Sequence, residues 1–266
     1  MIGKKELFSL CVLCAGVLFL PMIQNAANAA EDAHFFSEVH GRVDEICRSE
    51  LSPGHIQRGE GLPFASFKDD VLCLIGELNK ENVKTALKII KTHKINNIFV
   101  WSGGGNADSS LDLAEEIRRR DMDVYVFYRC GSSCANYIFM AGARKHVLPG
   151  SIVSWHGAPI ADSESPLTLK KLWEKHKKFF AEIGVNDEIT RLPPACNVEG
   201  NTAFLSEVEN GKHPNWTYRR DVLEGYFNIR GIVDMWEEPL EEGQSEEDPR
   251  VSIADKPKIF LFHACK

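Results

Sequence analysis

Three observations predict an α/β fold with a mostly parallel sheet in this 266-residue chain. Short β-rich apolar runs recur through its middle. Between them lie segments of about a dozen residues whose apolar positions repeat at helical spacing. The length suffices for one large domain with a substantial core, and neither composition nor internal repeats call for two.

In chain order, the first strand is Val71 to Gly76. Val83, Ala86, Leu87 and Ile90 then recur at helical spacing, and Ile98 to Trp101 resumes as a strand, completing a βαβ unit. A Gly-rich loop follows, and Leu111, Leu113, Ala114 and Ile117 mark a second amphipathic helix with Asp108 or Ser109 available as N-cap. Val124 to Tyr128 reads as a buried strand, Cys134 to Ala141 as a helix, Gly142 to Pro149 as a loop, and Ile152 to Trp155 as a strand. Leu167 to Phe180 is a further helix whose Lys170, Lys171, Lys175, Lys177 and Lys178 read as a solvated face. Residues 185–215 are less periodic, and Pro193-Pro194 stops any helix there. Ile259 to Phe262 adds an edge strand, with Cys265 pinning the end. Strands joined through helices argue for parallel pairing with right-handed crossovers, and ligands then gather at the strands' carboxyl ends.

Lys4 and Lys5 precede an apolar run from Leu7 to Leu20, followed by Pro21 and the small-residue stretch ending Ala27-Asn28-Ala29. This is the pattern of a secretory signal peptide, residues 1–29, with Ala30 as the new N-terminus. The run is too short to span a bilayer as a retained anchor, so no stable membrane insertion is expected after cleavage. Residues 30–70 read as an N-terminal extension, 71–236 as the core domain, and 237–266 as an acidic linker and tail. The formal charge of −7 becomes −8 once Lys4, Lys5 and Glu6 are removed, which disfavours nucleic acid or an anionic membrane as a partner. Cys47, Cys73, Cys130, Cys134, Cys196 and Cys265 remain, an even set in an exported, periplasmic or secreted chain, so disulfides are expected. Six thiols allow 15 pairings; Cys130 with Cys134 would make a small clasp, against the alternative of two buried free thiols.

Three segments carry chemistry: Ser102-Gly103-Gly104-Gly105, Cys130-Gly131-Ser132-Ser133-Cys134, and Trp155-His156-Gly157. They supply a loop of backbone N–H groups, a serine turning into a helix, and a histidine able to take the serine's proton. The first two fall at strand carboxyl ends and are expected to meet. Each alone has a plainer reading: a serine before a helix is an N-cap, a glycine run is a tight turn, and a strand histidine packs in a core. The glycine loop matches neither a phosphate loop nor G-x-G-x-x-G, no metal-binding spacing is present, and C-x₃-C is not a thioredoxin-type motif. No cofactor or metal is expected.

Residues 71–234 resemble the superfamily of the Clp protease proteolytic subunit, the signal peptide peptidases and crotonase, specifically its exported ClpP-like members. The likeness rests on Gly76-Glu77-Leu78, Ser102-Gly103-Gly104-Gly105, Ser133 nine residues before the end of Ala141-Gly142, Leu148-Pro149-Gly150-Ser151 leading to His156, and Gly231-Ile232-Val233-Asp234. It implies a ClpP/crotonase spiral of repeated β-β-α and βαβ units, Ser133 as nucleophile with Ser132 as alternative, His156 as base, and an oxyanion hole of the Gly104 or Gly105 and Cys134 amides. The position of the family's acid falls on Arg219 or His213, neither a carboxylate; Asp187 and Asp221 are the remaining candidates, and a Ser133–Lys145 pair is the fallback. The reading is an exported, ATP-independent serine peptidase or related acyl hydrolase acting on peptide or protein, in a chain able to form a homo-oligomer as superfamily members do. The rival reading is an inactive ClpP-like domain that captures peptide or protein.

Overall fold

The computed structural model describes residues 46–47, 65–156, 166–191, 193, 199, 201–209, 214–237, 245–247 and 258–262. Residues 1–29, expected as a signal peptide, and Cys196 and Cys265 lie outside them. Residues 1–50 and residues 51–266 form two separate compact units, and the sheet and helices that follow belong to the second.

The fold is α/β around a seven-stranded sheet. Its strands are β1 (Ala65–Lys68), β2 (Val71–Ile75), β3 (Asn97–Ser102), β4 (Asp123–Gly131), β5 (Lys145–Val147), β6 (Ile152–Ser154) and β8 (Ile232–Met235). The order is β1-β2-β3-β4-β5-β8, with β6 also on β4 beyond the end of β5. Only the β1–β2 pair is antiparallel. A second sheet of β7 (Asn215–Tyr218), β10 (Lys258–Phe262) and β9 (Ser245–Glu247) joins the first through reciprocal backbone bonds between Trp155 and Trp216, 2.9 and 2.7 Å.

The expected helices form with their expected faces inward. α1 (Lys80–Thr92) buries Val83, Ala86 and Ile90, and α2 (Ala107–Arg119) buries Leu111, Leu113, Ala114 and Ile117. These side chains meet Leu72, Leu74, Ile98, Val100, Val124 and Val126 of the sheet in one apolar core. α3 (Pro166–Ile183) packs against α2, and α4 (Thr202–Glu209) and α5 (Arg220–Gly225) complete the helices among the described residues. None of these is long and apolar enough to cross a membrane.

Several expectations change. The N-cap of α2 is Asn106, whose Oδ1 accepts from the Ser109 N–H and hydroxyl, both at 2.9 Å, rather than Asp108 or Ser109. The lysine face is not wholly solvated, because Lys175 bonds Asp108 and Asp112 across to α2 at 2.9 and 2.6 Å. Residues 259–262 belong to the central strand of the second sheet, not to an edge. Residues 65–68 form a strand instead of plain extension, and residues 142–149 contain β5.

β5 escapes a hydrophobicity reading because two of its three residues, Lys145 and His146, are polar yet buried. The Lys145 ammonium donates to the Gly142 and Arg230 carbonyls at 2.6 and 2.7 Å, while His146 stacks on Tyr125 with ring centroids 4.3 Å apart. Burial draws the Lys145 pKa down to about 8. Beside it, Gly231 at φ 75° sits so close to Ala143 that a Cβ would lie 2.2 Å from its carbonyl oxygen. Both the steric clash and the left-handed backbone oppose any side chain there. Gly231→Ala is therefore expected to destabilise the fold by about 2–4 kcal/mol in urea unfolding; a loss below about 0.5 kcal/mol would show that β5 and β8 do not need this approach.

Candidate active site

β3, β4 and β6 end at the same side of the sheet, and that alignment assembles the site. After Ser102, the chain enters the glycine loop, where Gly104 and Gly105 take φ values of 101° and 148°. Leu78 pins the loop: its N–H donates to the Gly104 carbonyl at 2.9 Å, and its own carbonyl accepts from Asn106 at 3.0 Å. A Cβ at Gly105 would lie 2.9 Å from the Leu78 backbone, so only glycine fits this approach.

The serine turn meets that loop. A Cβ built on Gly104 would lie 2.6 Å from the Ser132 Cβ and 2.9 Å from the Ser133 nitrogen. The convergence expected of the two segments is thus present in the fold. β4 reaches this position through an irregularity: Val100 pairs with Val126, but Ser102 pairs with Cys130, so β4 carries two extra residues. Tyr128 in that bulge adopts φ 62°, and its N–H donates to the Ser151 hydroxyl at 2.9 Å. Such bulges redirect a strand's end.

Cys130 and Cys134 form a disulfide across the turn, with Cα atoms 5.2 Å apart. Cys73 is disulfide-bonded as well. Between the bridged cysteines, Ser132 takes φ 56°, unusual for a residue with a Cβ. Its N–H donates to the Ser154 carbonyl of β6 at 3.1 Å, and its carbonyl accepts from Asn136 at 2.8 Å. The segment that follows, Cys134–Phe139, is a π-helix rather than an α-helix.

The two serines differ. Ser133 is only 3% exposed, and its hydroxyl donates to the Gly105 carbonyl at 3.1 Å. Ser132 is half-buried, and its hydroxyl makes no hydrogen bond with the described residues. Of the expected oxyanion donors, the Gly104 N–H is occupied by the Ser102 hydroxyl at 3.0 Å. Among the described residues, the N–H groups of Gly105, Ser133 and Cys134 have no acceptor. Unpaired N–H groups at a helix start, beside another from a loop, are the donors that a developing negative charge on oxygen requires.

His156 is half-buried and lies two residues past Ser154. The β4–β6 register pairs Gly131 with Ser154, so the serine turn and the residues leading to His156 leave the sheet from neighbouring strand ends. The remaining candidates lie elsewhere. Asp187 pairs with Arg191 and lies 3.6 Å from His176 Nε2, and Asp221 is an exposed residue in the first turn of α5. Lys145 pairs with Val124 at the start of β4. Along β3 that level is Ile98, four residues before the Ser102–Cys130 pair, or about 13 Å along the sheet at roughly 3.3 Å per residue, and the ammonium is held by the Gly142 and Arg230 carbonyls, which removes the Ser133–Lys145 fallback. No three His, Cys, Asp or Glu side chains cluster as a metal site among the described residues.

A histidine that the sequence reading passed over supports the site from behind. His176 of α3, 4% exposed, bonds the Tyr137 hydroxyl of the π-helix through Nδ1 at 3.1 Å. Tyr137 and Phe180 flank its ring. Its position in a lysine-rich helix hid it, because only the packed helix shows which face turns inward.

Compared with protein-family models and with curated proteins, the sequence finds no match. The site is therefore read from its own geometry.

Burial pulls the His176 pKa from 6.5 down to about 4, against the opposing pull of Asp187. A folded-state pKa below the unfolded value means that the stabilisation is present above pH 6.5 and is lost as pH falls towards 4. Between pH 6.5 and 5 the native protein should lose up to about 2 kcal/mol through this group. Urea midpoints of wild type and His176→Gln across that interval should diverge, with the variant flatter; parallel curves would rule out the neutral buried imidazole.

Proposed function

We propose that this protein is an exported serine hydrolase of ClpP-like architecture, acting on peptides or related acyl compounds. The observation that carries the reading is the packing of the glycine loop against the serine turn, with N–H groups of Gly105, Ser133 and Cys134 around it that find no acceptor among the described residues. A serine hydroxyl of the turn adds to the substrate carbonyl carbon and passes its proton to His156. The carbonyl π electrons move onto oxygen, where the free N–H groups stabilise the charge. Collapse expels the amine or alcohol, which takes the proton from the imidazolium, and water then releases the acyl group by the same steps in reverse.

The fold supports this reading in its mostly parallel sheet, in the glycine loop after β3, and in the helix that opens at the serines. The ClpP/crotonase spiral is the finer form of the proposal, as is export, which rests on the pattern of residues 1–29 and on the disulfides. The rival reading, peptide capture without cleavage, draws on the placement of Asp187 with Arg191 and His176.

A fluorophosphonate probe separates the two. The purified folded protein should be labelled on the Cys130–Cys134 peptide, heat-denatured protein should not, and His156→Gln should label at least about 10²-fold more slowly, the usual weight of a general base. Absence of label on folded wild type would overturn the hydrolase and leave the capture domain.

A further inference from the structure

Resting on the hydrolase reading, we infer that the reacting hydroxyl belongs to Ser132, with Ser133 a positioning residue for the glycine loop.

The two side chains have opposite commitments. The Ser133 hydroxyl proton is directed at the Gly105 carbonyl, and the residue is 3% exposed. A nucleophile must aim that proton at its base and its oxygen at the substrate. Ser133 does neither. What its bond achieves is to tie the glycine loop to the helix start, fixing the Gly105 N–H beside the Ser133 and Cys134 N–H groups.

Ser132 stands at the apex of the turn. Its φ of 56° bends the chain sharply between strand and helix, the geometry that lifts a nucleophilic side chain clear of its backbone neighbours. The plainer role for a serine here is helix capping, in which the hydroxyl accepts from an N–H two or three residues on. The Ser132 carbonyl does begin the helix, by accepting from Asn136, but its hydroxyl makes no capping bond with the described residues. A Cβ built on Gly104 would lie 2.6 Å from the Ser132 Cβ, so the Ser132 side chain stands next to the loop that supplies an oxyanion donor.

The resemblance implies Ser133 by its spacing from Ala141-Gly142. The intervening Cys134–Phe139 is a π-helix, which closes i→i+5 bonds and takes up an extra residue relative to an α-helix, so the same spacing read through it leads to Ser132.

In the labelling step, the Ser132 oxygen bonds phosphorus, fluoride leaves, and the proton passes to His156. The experiment is fluorophosphonate labelling of the full mature chain, with fragment-ion localisation of the adduct, on wild type, Ser132→Ala, Ser132→Gly and Ser133→Ala. The adduct should sit on Ser132. Both Ser132 variants should lose labelling by more than about 10³-fold. Ser132→Gly, which relieves the left-handed backbone, should melt at a higher temperature than wild type, so its loss of labelling cannot be a failure to fold. Ser133→Ala should still label on Ser132, slowed by about tenfold through the loosened loop. An adduct on Ser133, or undiminished labelling of Ser132→Gly, would overturn the assignment while keeping the hydrolase. No adduct on either serine of folded wild type would instead remove the hydrolase reading itself.

Discussion

The close approach of Gly104 to the Ser132 side chain is the constraint on which this end of the sheet depends. A Cβ at position 104 would come within 2.6 Å of the serine side chain and within 3 Å of two further backbone atoms. The loop after β3 and the turn after β4 can therefore share one space only while residue 104 is glycine. The bulge in β4 is the other half of that fit. Two additional residues between Val126 and Cys130 let the strand rejoin β3 at Ser102 and β6 at Ile152, so three strand ends arrive together.

Two supports of different kind hold the turn from either side. The Cys130–Cys134 disulfide closes a loop of very few residues, so its effect on global stability is modest by chain-entropy arguments; what it limits is the local freedom of the serines. Behind the turn, the π-helix is buried on all six residues, and Tyr137 reaches His176 across the α2–α3 side of the core. A π-helix is a poor structure by itself, with a wide and loosely packed backbone. Here its apolar side chains, Ile138 and Phe139 among them, are fully enclosed, and that packing maintains it.

Much of the fold was legible in the sequence because its central elements obey simple periods. β2, β3 and the first half of β4 are short apolar runs, and α1 and α2 bury the positions that their spacing marks, Leu87 only in part. Legibility failed wherever a polar side chain was satisfied by a distant partner. Lys145 and His146 make β5 look like a loop until the Gly142 and Arg230 carbonyls and the Tyr125 ring are in place. The capping role of Asn106 was hidden because three residues near the start of α2 can each cap a helix, and local sequence does not choose among them. The meeting of the glycine loop with the serine turn was legible in the order of the segments, both at strand carboxyl ends. What that order lacked was helix type, because no periodicity in six residues distinguishes i→i+5 from i→i+4 bonding.

Energetics makes the same point about Ser132 from a different direction. A residue with a Cβ held at positive φ carries strain on the order of 1 kcal/mol or more, which glycine would not. Serines normally offset such local penalties by hydrogen bonding to nearby backbone, as Ser110 does to the Asn106 carbonyl. Ser132 returns no such bond among the described residues, and its half-exposed side chain buries little apolar surface. Its hydroxyl thus adds nothing that the folded state needs, at a position where the backbone alone would select glycine. Strain without a structural return among the described residues, set beside the N–H groups of Gly105, Ser133 and Cys134 that find no acceptor there, favours the proposed assignment of Ser132 over a purely architectural serine.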